Sequence, residues 1–333
     1  MQLVGKIEAN LSMKKANLKV LVVGGAGYIG GAVTDILKQK NIPFTVYDNL
    51  LYEHHYLKPV DFVFGDVRDA KKLKKILPRY SHIIWLAAIV GDAACQVRPS
   101  LTTAINRDSV EWLSKNYRGR IIFVSTCSVY GENSKEAKET TSPNPLSLYA
   151  RTKLEAEGFL KDKNAIIFRL GTVFGVSDSF ARLRMDLAVN YMTASALTKG
   201  RLSIYNGNQW RPFLHVYNVA EALVNALESS RTGIYNLAAL NYQIKNLGKE
   251  ISKITGCKIE YVKSKFQDER NYHVSLTKAK KHGLANFVNV FPIAHGVRQI
   301  AELITSGKVK YIDSDIYHNE RYIIGLNNEE RFK

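Results

Sequence analysis

Cysteine is scarce, with three in 333 residues, at Cys95, Cys127 and Cys257. They show neither paired nor metal-ligand spacing. That excludes a disulfide framework and a cysteine-held metal, and it fits a reducing cytoplasm. Long apolar runs are also missing. No stretch approaches the roughly 18 apolar residues of a membrane span, and residues 1–19 hold no apolar block of signal-peptide length, so the expected location is cytoplasmic. Acidic residues are few: 30 Asp and Glu against 47 Lys and Arg leave a net charge of +17. Such a charge raises nucleic acid as a partner. The lysines are scattered, however, as in Lys71-Lys72-Leu73-Lys74-Lys75, Lys278 and Lys280-Lys281, with no basic stripe interleaved with aromatics. The excess reads as solvated surface that also attracts an anionic substrate. Neither nucleic acid, membrane nor metal is expected as a partner.

What is present is alternation. Residues 18–24 are almost continuously apolar, as in a strand buried on both faces. Gly24, Gly27 and Gly30 follow, and then a helix over 28–40. Glycines at a strand-to-helix turn let a backbone approach a pyrophosphate, and free N–H groups at the helix start face the phosphates. On this reading Gly24, Gly27, Tyr28, Ile29 and Gly30 hold a dinucleotide. A second strand, Phe44-Thr45-Val46-Tyr47, ends in Asp48-Asn49. A carboxylate there bonds the adenosine ribose and repels a 2′-phosphate, which favours NAD over NADP. Strands over 61–65 and 82–86, with a helix over 69–77 between them, lead to Asp66-Val67 and to Ala87-Ala88-Ile89. These are candidates for the adenine and ribose walls. The alternation predicts an α/β fold with a doubly wound parallel sheet, which binds ligands at the carboxyl ends of its strands.

A long helix over 99–117 contains Asn106, a further candidate for the cofactor. The fifth strand, 119–124, ends in Ser125-Thr126-Cys127-Ser128, a hydroxyl-rich edge suited to substrate. Residues 132–146 read as a loop, after which Ser147 caps a helix that carries Tyr149 and Lys153 at i and i+4, on one face. A sixth strand over 165–168 leads to Arg169.

Gly24-Gly25-Ala26-Gly27-Tyr28-Ile29-Gly30, Ser125-Thr126, Tyr149-x-x-x-Lys153, Arg169 with Gly175, and Arg211-Pro212-Phe213-Leu214-His215-Val216 together resemble the extended short-chain dehydrogenase/reductases, in their NAD-dependent nucleotide-sugar epimerase/dehydratase branch. The resemblance runs from about residue 18 to about 305. It implies a Rossmann domain with a smaller C-terminal substrate lobe. It implies that Tyr149 takes a proton from a sugar hydroxyl while hydride passes to NAD, that Lys153 bonds the nicotinamide ribose and that Thr126 holds the sugar oxygen. Ser125 joins the cofactor set. A free phenol titrates near ~10, so a base working near neutrality asks for about 4 kcal/mol of electrostatic help, expected from Lys153 and the nicotinamide cation.

Sugar 4,6-dehydratases of this family carry Thr-Asp-Glu where this chain has Thr126-Cys127-Ser128, which disfavours dehydration and leaves chemistry at C4. The substrate set implied is Thr126, Cys127, Ser128, Tyr149, Thr172, Asn190, Tyr205, Arg211 and Arg270, with the arginines on a diphosphate. Cys127 reads more readily as packed than as acid or base. The expected activity is a 4-epimerase on a GDP- or UDP-linked sugar, of the kind found in surface polysaccharide pathways. The alternative is a C4 dehydrogenase or 4-keto reductase with net redox. A non-catalytic NAD- or RNA-binding regulator is set aside because the Tyr-x-x-x-Lys pair is kept. The expected division is an extension over 1–17, a NAD-binding domain over 18–170, a mainly substrate-binding lobe over 171–305 with segments returning to the sheet, and a tail over 306–333. Helices over 216–229 and 247–255 are assigned to the lobe. Helices over 100–117 and 147–161 are expected to pair across a homodimer.

Overall fold

A computed structural model describes residues 18–53, 55–133, 135–262 and 271–326. Numbered along the chain, the strands are β1 (Val20–Val23), β2 (Phe44–Asp48), β3 (Phe62–Phe64), β4 (His82–Trp85), β5 (Arg120–Thr126), β6 (Ala165–Leu170), β7 (Thr172–Phe174), β8 (Arg201–Tyr205), β9 (Trp210–His215), β10 (Gly233–Leu237), β11 (Leu240–Gln243) and β12 (Lys258–Val262). Seven of them form one sheet in the order β10-β6-β5-β4-β1-β2-β3. Every pairing in it is parallel. β1 lies between β2 and β4, so the winding reverses there and opens a crevice above its carboxyl end. The expected strand-helix alternation is present, and the fold class is the doubly wound α/β one.

β1 is buried at every position because helices cover both faces. One face packs under the helices Tyr28–Gln39 and Val216–Asn225, around Val22, Val33, Leu37, Ile84 and Leu223. The Val216–Asn225 helix therefore belongs to the nucleotide half, not to the smaller lobe as its position in sequence suggests. The other face packs under helices from Asp92 to Asn116 and Leu148–Leu160, around Leu21, Trp85, Leu113 and Ile167. The single helix expected over 99–117 is two α-helical pieces, Pro99–Thr103 and Ser109–Asn116, joined through a π-helical turn, Ala104–Asp108.

The smaller lobe holds a three-stranded sheet, β11-β9-β7, and the pair β12-β8. Its core joins Phe174, Phe213, Leu247, Ile251 and Val297. The chain after 305 is not a loose tail over its described part. Val309, Ile312, Tyr322 and Ile323 are buried, and the helix Asn319–Gly325 packs on the helix Asp92–Val97. Its apolar residues are interleaved with charged and polar ones, and their burial comes from packing on distant elements that the local sequence does not show.

Candidate active site

One cavity of about 1170 Å³ runs along the carboxyl ends of β1, β2, β4 and β5 and on into the smaller lobe. At its cofactor end lie Gly24, Gly27, Tyr28, Ile29 and Gly30. Gly24 has φ +79°, and a Cβ there would stand 2.4 Å from the Ala87 nitrogen. A Cβ on Gly30 would stand 2.3 Å from the Gly25 carbonyl oxygen. Only glycine lets this turn lie so close to its neighbours, and the helix Tyr28–Gln39 then starts with no side-chain cap on its free N–H groups. That is a cradle suited to a pyrophosphate.

Asp48 lines the cavity at the end of β2. Its carboxylate accepts the Ala26 N–H at 3.0 Å and the Leu50 N–H at 2.8 Å, which ties the glycine turn to the ribose position. Asn49, Val67, Ala87, Ala88 and Ser125 also line the cavity. Three residues expected on the cofactor do not. Asp66 stands behind Asn49, accepting its amide at 2.8 Å and pairing with Arg68 at 2.9 Å. Ile89 is fully buried, and Asn106 clasps its backbone through two 2.8 Å bonds, one to the N–H and one to the carbonyl. The π turn aims that amide at the strand end instead of the cavity, a local geometry no period in the sequence announces.

The candidate catalytic residues come together where the helix Leu148–Leu160 meets the end of β5. The Ser147 hydroxyl caps that helix by accepting the Ala150 N–H. Tyr149, Lys153, Ser125, Thr126 and Ser128 all face the cavity. Burial raises the Tyr149 phenol, as do Cys95 and Asp92, while a hydrogen bond with Thr126 and the charge of Arg184 lower it. Lys153 is 2% exposed, and burial brings its ammonium down to about 7, with Glu157 opposing. Lys153 therefore needs charge support of its own. Cys127 turns from the cavity: it is fully buried, its thiol donates to the Arg169 carbonyl at 3.2 Å, and burial pushes it far above the usual thiol range.

In the smaller lobe Thr172, Tyr205 and Arg211 line the cavity, as expected of substrate residues. Arg211 is 7% exposed and its guanidinium lies 5.4 Å from the Tyr272 ring. Asn190 does not reach the cavity. It is fully buried, and its amide bonds the Gly175 N–H at 2.9 Å and the Gly175 and Arg184 carbonyls at 3.0 and 2.8 Å, fastening two loops together. Arg270 lies outside the described residues.

Several cavity residues went unread in the sequence. Arg182 and Arg184 line the wall, Arg184 gripping Asp186 at 2.6 and 3.1 Å. The Arg-x-Arg-x-Asp spacing was the available signal. The Arg182 guanidinium sits 4.7 Å from the Tyr52 ring and 5.6 Å from the Tyr322 ring, and it donates to the Ile316 carbonyl and to Asn319. Asn319 in turn donates its backbone N–H to Asp186 and its amide to the Val90 carbonyl, both at 2.9 Å. The segment after 314 thus forms one wall of the cavity, and nothing local in its sequence says so.

The family model of the NAD dependent epimerase/dehydratase family matches residues 20–238. The chain belongs to that family. Similar curated proteins include UDP-glucuronic acid decarboxylase 4 of Arabidopsis thaliana, 26% identical over 83% of this chain and 66% of its own length. Probable UDP-arabinose 4-epimerase 3 of Oryza sativa subsp. japonica is 27% identical over 78% and 75%. UDP-glucuronate 4-epimerase 3 of Arabidopsis thaliana is 28% identical over 70% and 61%. The chain thus spans roughly two thirds of the length of the curated relatives it matches. Among solved structures, the UDP-glucose 4-epimerase of Thermus thermophilus in complex with NAD superposes with a TM-score of 0.71 at 24% identity, covering 85% of this chain and 99% of that one. A UDP-glucose 4-epimerase of Thermotoga maritima with UDP-glucose superposes with a TM-score of 0.74 at 24% identity, covering 88% and 100%. These likenesses establish the shared fold. NAD is the cofactor of the family, and the glycine cradle with Asp48 beside it fits that group. Among the described residues no helix is long and apolar enough to cross a membrane, and no cluster of His, Cys, Asp and Glu could hold a metal.

Proposed function

We propose that this epimerase/dehydratase-family chain oxidises and re-reduces C4 of a UDP-linked sugar, giving the 4-epimer. The reading is carried by the meeting of Thr126, Tyr149 and Lys153 on one cavity wall, between Asp48 at one end and Arg211 at the other. Bound NAD supplies the hydride acceptor and donor. Tyr149, as phenolate, would take the C4 hydroxyl proton and later return it to the same oxygen, when hydride comes back to the opposite face of the C4 ketone. Thr126 holds that oxygen and, by its bond to the phenol, favours the ionised form. Lys153 donates to the nicotinamide ribose. Arg211 takes the diphosphate, where a planar fork of N–H donors matches phosphate oxygens. Cys127 and Ser128 offer no acid for expelling water from C6, so the sequence continues past the ketone by reduction.

The relatives suggest the uracil nucleotide. UDP-glucuronate comes first in the test, as the sugar nucleotide named for one of the similar 4-epimerases. The protein is incubated with UDP-glucuronate, UDP-glucose and UDP-arabinose while absorbance at the NADH band is followed, and products are resolved by NMR. A 4-epimer without net NADH is expected. A keto sugar with NADH would replace the reading by the dehydrogenase one, and a pentose with loss of carbon dioxide by a decarboxylase. In the same assay Tyr149→Phe should lose at least about a thousandfold in turnover while NAD still binds; near-normal turnover removes Tyr149 as the base. The reading includes a homodimer through the helices over 99–116 and Leu148–Leu160, and a monomer mass by light scattering would remove that part.

A further inference from the structure

One helical turn beyond Lys153, on the same face, stands Glu157, which is 2% exposed. Its Oε1 accepts the Ser125 hydroxyl at 2.5 Å and the Arg169 Nε at 3.0 Å, and its Oε2 accepts the Arg169 Nη2 at 2.7 Å. Arg169, also 2% exposed, stands with its guanidinium 4.9 Å from the Tyr130 ring. One carboxylate thus joins three elements that meet at the chemical centre: the end of β5, the helix of Tyr149 and Lys153, and β6.

Lys153 sits beside this knot, its Nζ 4.2 Å from the centre of the Phe123 ring. An ammonium at such depth has lost its water, and it keeps its proton only if fixed charge or a ring face replaces that water. Each element packed around it contributes groups. Its own helix brings Tyr149 and Glu157. The helix Asp92–Val97 brings the Cys95 thiol, with Asp92 acting on Tyr149. β5 brings the Phe123 face, and β6 brings Arg169, committed to Glu157. The π turn brings Arg107 and Asp108, which pair with each other at 2.6 Å at the surface. Glu157 is the carboxylate that acts on Lys153.

We propose that Glu157 is a positioning residue of the active site: it fixes the Ser125–Thr126 strand end against the Tyr149 helix and serves as the counter-charge that keeps Lys153 an ammonium. This rests on the reading of Lys153 as a cavity cation given above. Burial brings that ammonium down to about 7 even with Glu157 and Cys95 opposing, so the charge it presents near neutral pH depends on that anionic support. Ser125 spends its hydroxyl donor on Glu157, so what it has left for a ligand in the cavity is an acceptor.

The test needs no turnover. Lys153 in the full chain is labelled competitively with acetic anhydride across pH and read by mass spectrometry, which gives the pH at which half the side chain is neutral. In Glu157→Gln that midpoint should fall by about one pH unit or more. Because this variant strands a buried guanidinium, the double variant Glu157→Met with Arg169→Met is measured beside it. It removes the pair without leaving an unpaired charge, and because the Arg169 cation goes with the carboxylate a smaller fall in the same direction is expected. An unchanged midpoint in either folded variant overturns the proposal. Failure of both to fold also overturns it, since the pair then serves folding alone. The outcome is separate from that of Tyr149→Phe: turnover retained there removes the proposed chemistry but leaves the Lys153 midpoint to be judged by itself.

Discussion

At the scale of single residues, chemistry-bearing types were legible where a motif fixed both their identity and their element. Asp48, Thr126, Tyr149, Lys153 and Arg211 all reach the cavity. The misplacements share a cause. Asp66, Ile89, Asn106, Cys127 and Asn190 all lie within a residue or two of cavity-lining positions, but their side chains point into the protein and hold other groups still. Side-chain direction at a strand end or in a π turn depends on backbone geometry that composition does not encode. Asp48 offers a direct check. Its carboxylate holds the Ala26 N–H and lines the cavity, so if it bonds the ribose as proposed, Asp48→Ala should cut the preference for NAD over NADP at least about tenfold, measured by fluorescence titration with the reduced cofactors. An unchanged preference would take Asp48 off the ribose.

Among elements, the first six strands of the sheet and the helices between them followed from apolar runs and glycine punctuation, whereas the seventh strand, Gly233–Leu237, and the strand order come from the structure. Two assignments depended on long-range packing and could not be read locally. The Val216–Asn225 helix is amphipathic and would suit either lobe; it lies on the sheet because the first helix offers a matching apolar face there. The π turn within 104–108 is invisible to a pattern of apolar residues. The caps were legible. Ser147 both caps the Tyr149 helix and donates to Asp92 at 2.6 Å. Ser147→Ala should therefore cost about 1 kcal/mol or somewhat more, seen as a lower melting temperature by calorimetry. A melting temperature equal to that of the parent would show that the cap adds nothing.

On the scale of the whole molecule, burial of Lys153 makes stability depend on pH. Its folded value lies near 7, below the ordinary value of 10.5 that the unfolded chain follows. Between those limits the unfolded chain binds the extra proton, so this residue makes stability rise with pH across that window, until the cost of burying its charge is gone above 10.5. In Lys153→Met that dependence disappears. Urea unfolding without cofactor from about pH 7 to about pH 10 should show the parent gaining stability relative to the variant, and a constant difference would mean that Lys153 is not buried as a neutral amine. Removing residues 315–333 should weaken NAD binding at least about tenfold while leaving the seven-stranded sheet intact by circular dichroism, because Arg182, Asp186 and Val90 would lose Asn319 and its neighbours.

That wall has a consequence in time. The glycine turn, Asp48, Tyr149 and Arg211 all precede residue 212 in the chain, whereas Asn319 comes more than a hundred residues later. During synthesis the residues of the crevice above β1 are therefore made well before the segment that clasps Val90 and Asp186. A dinucleotide that entered such a nascent site would meet it with one side missing and be shut in when the helix Asn319–Gly325 docks. The protein would then acquire its cofactor as part of being made, and exchange of that cofactor afterwards would be limited by the undocking of one short helix.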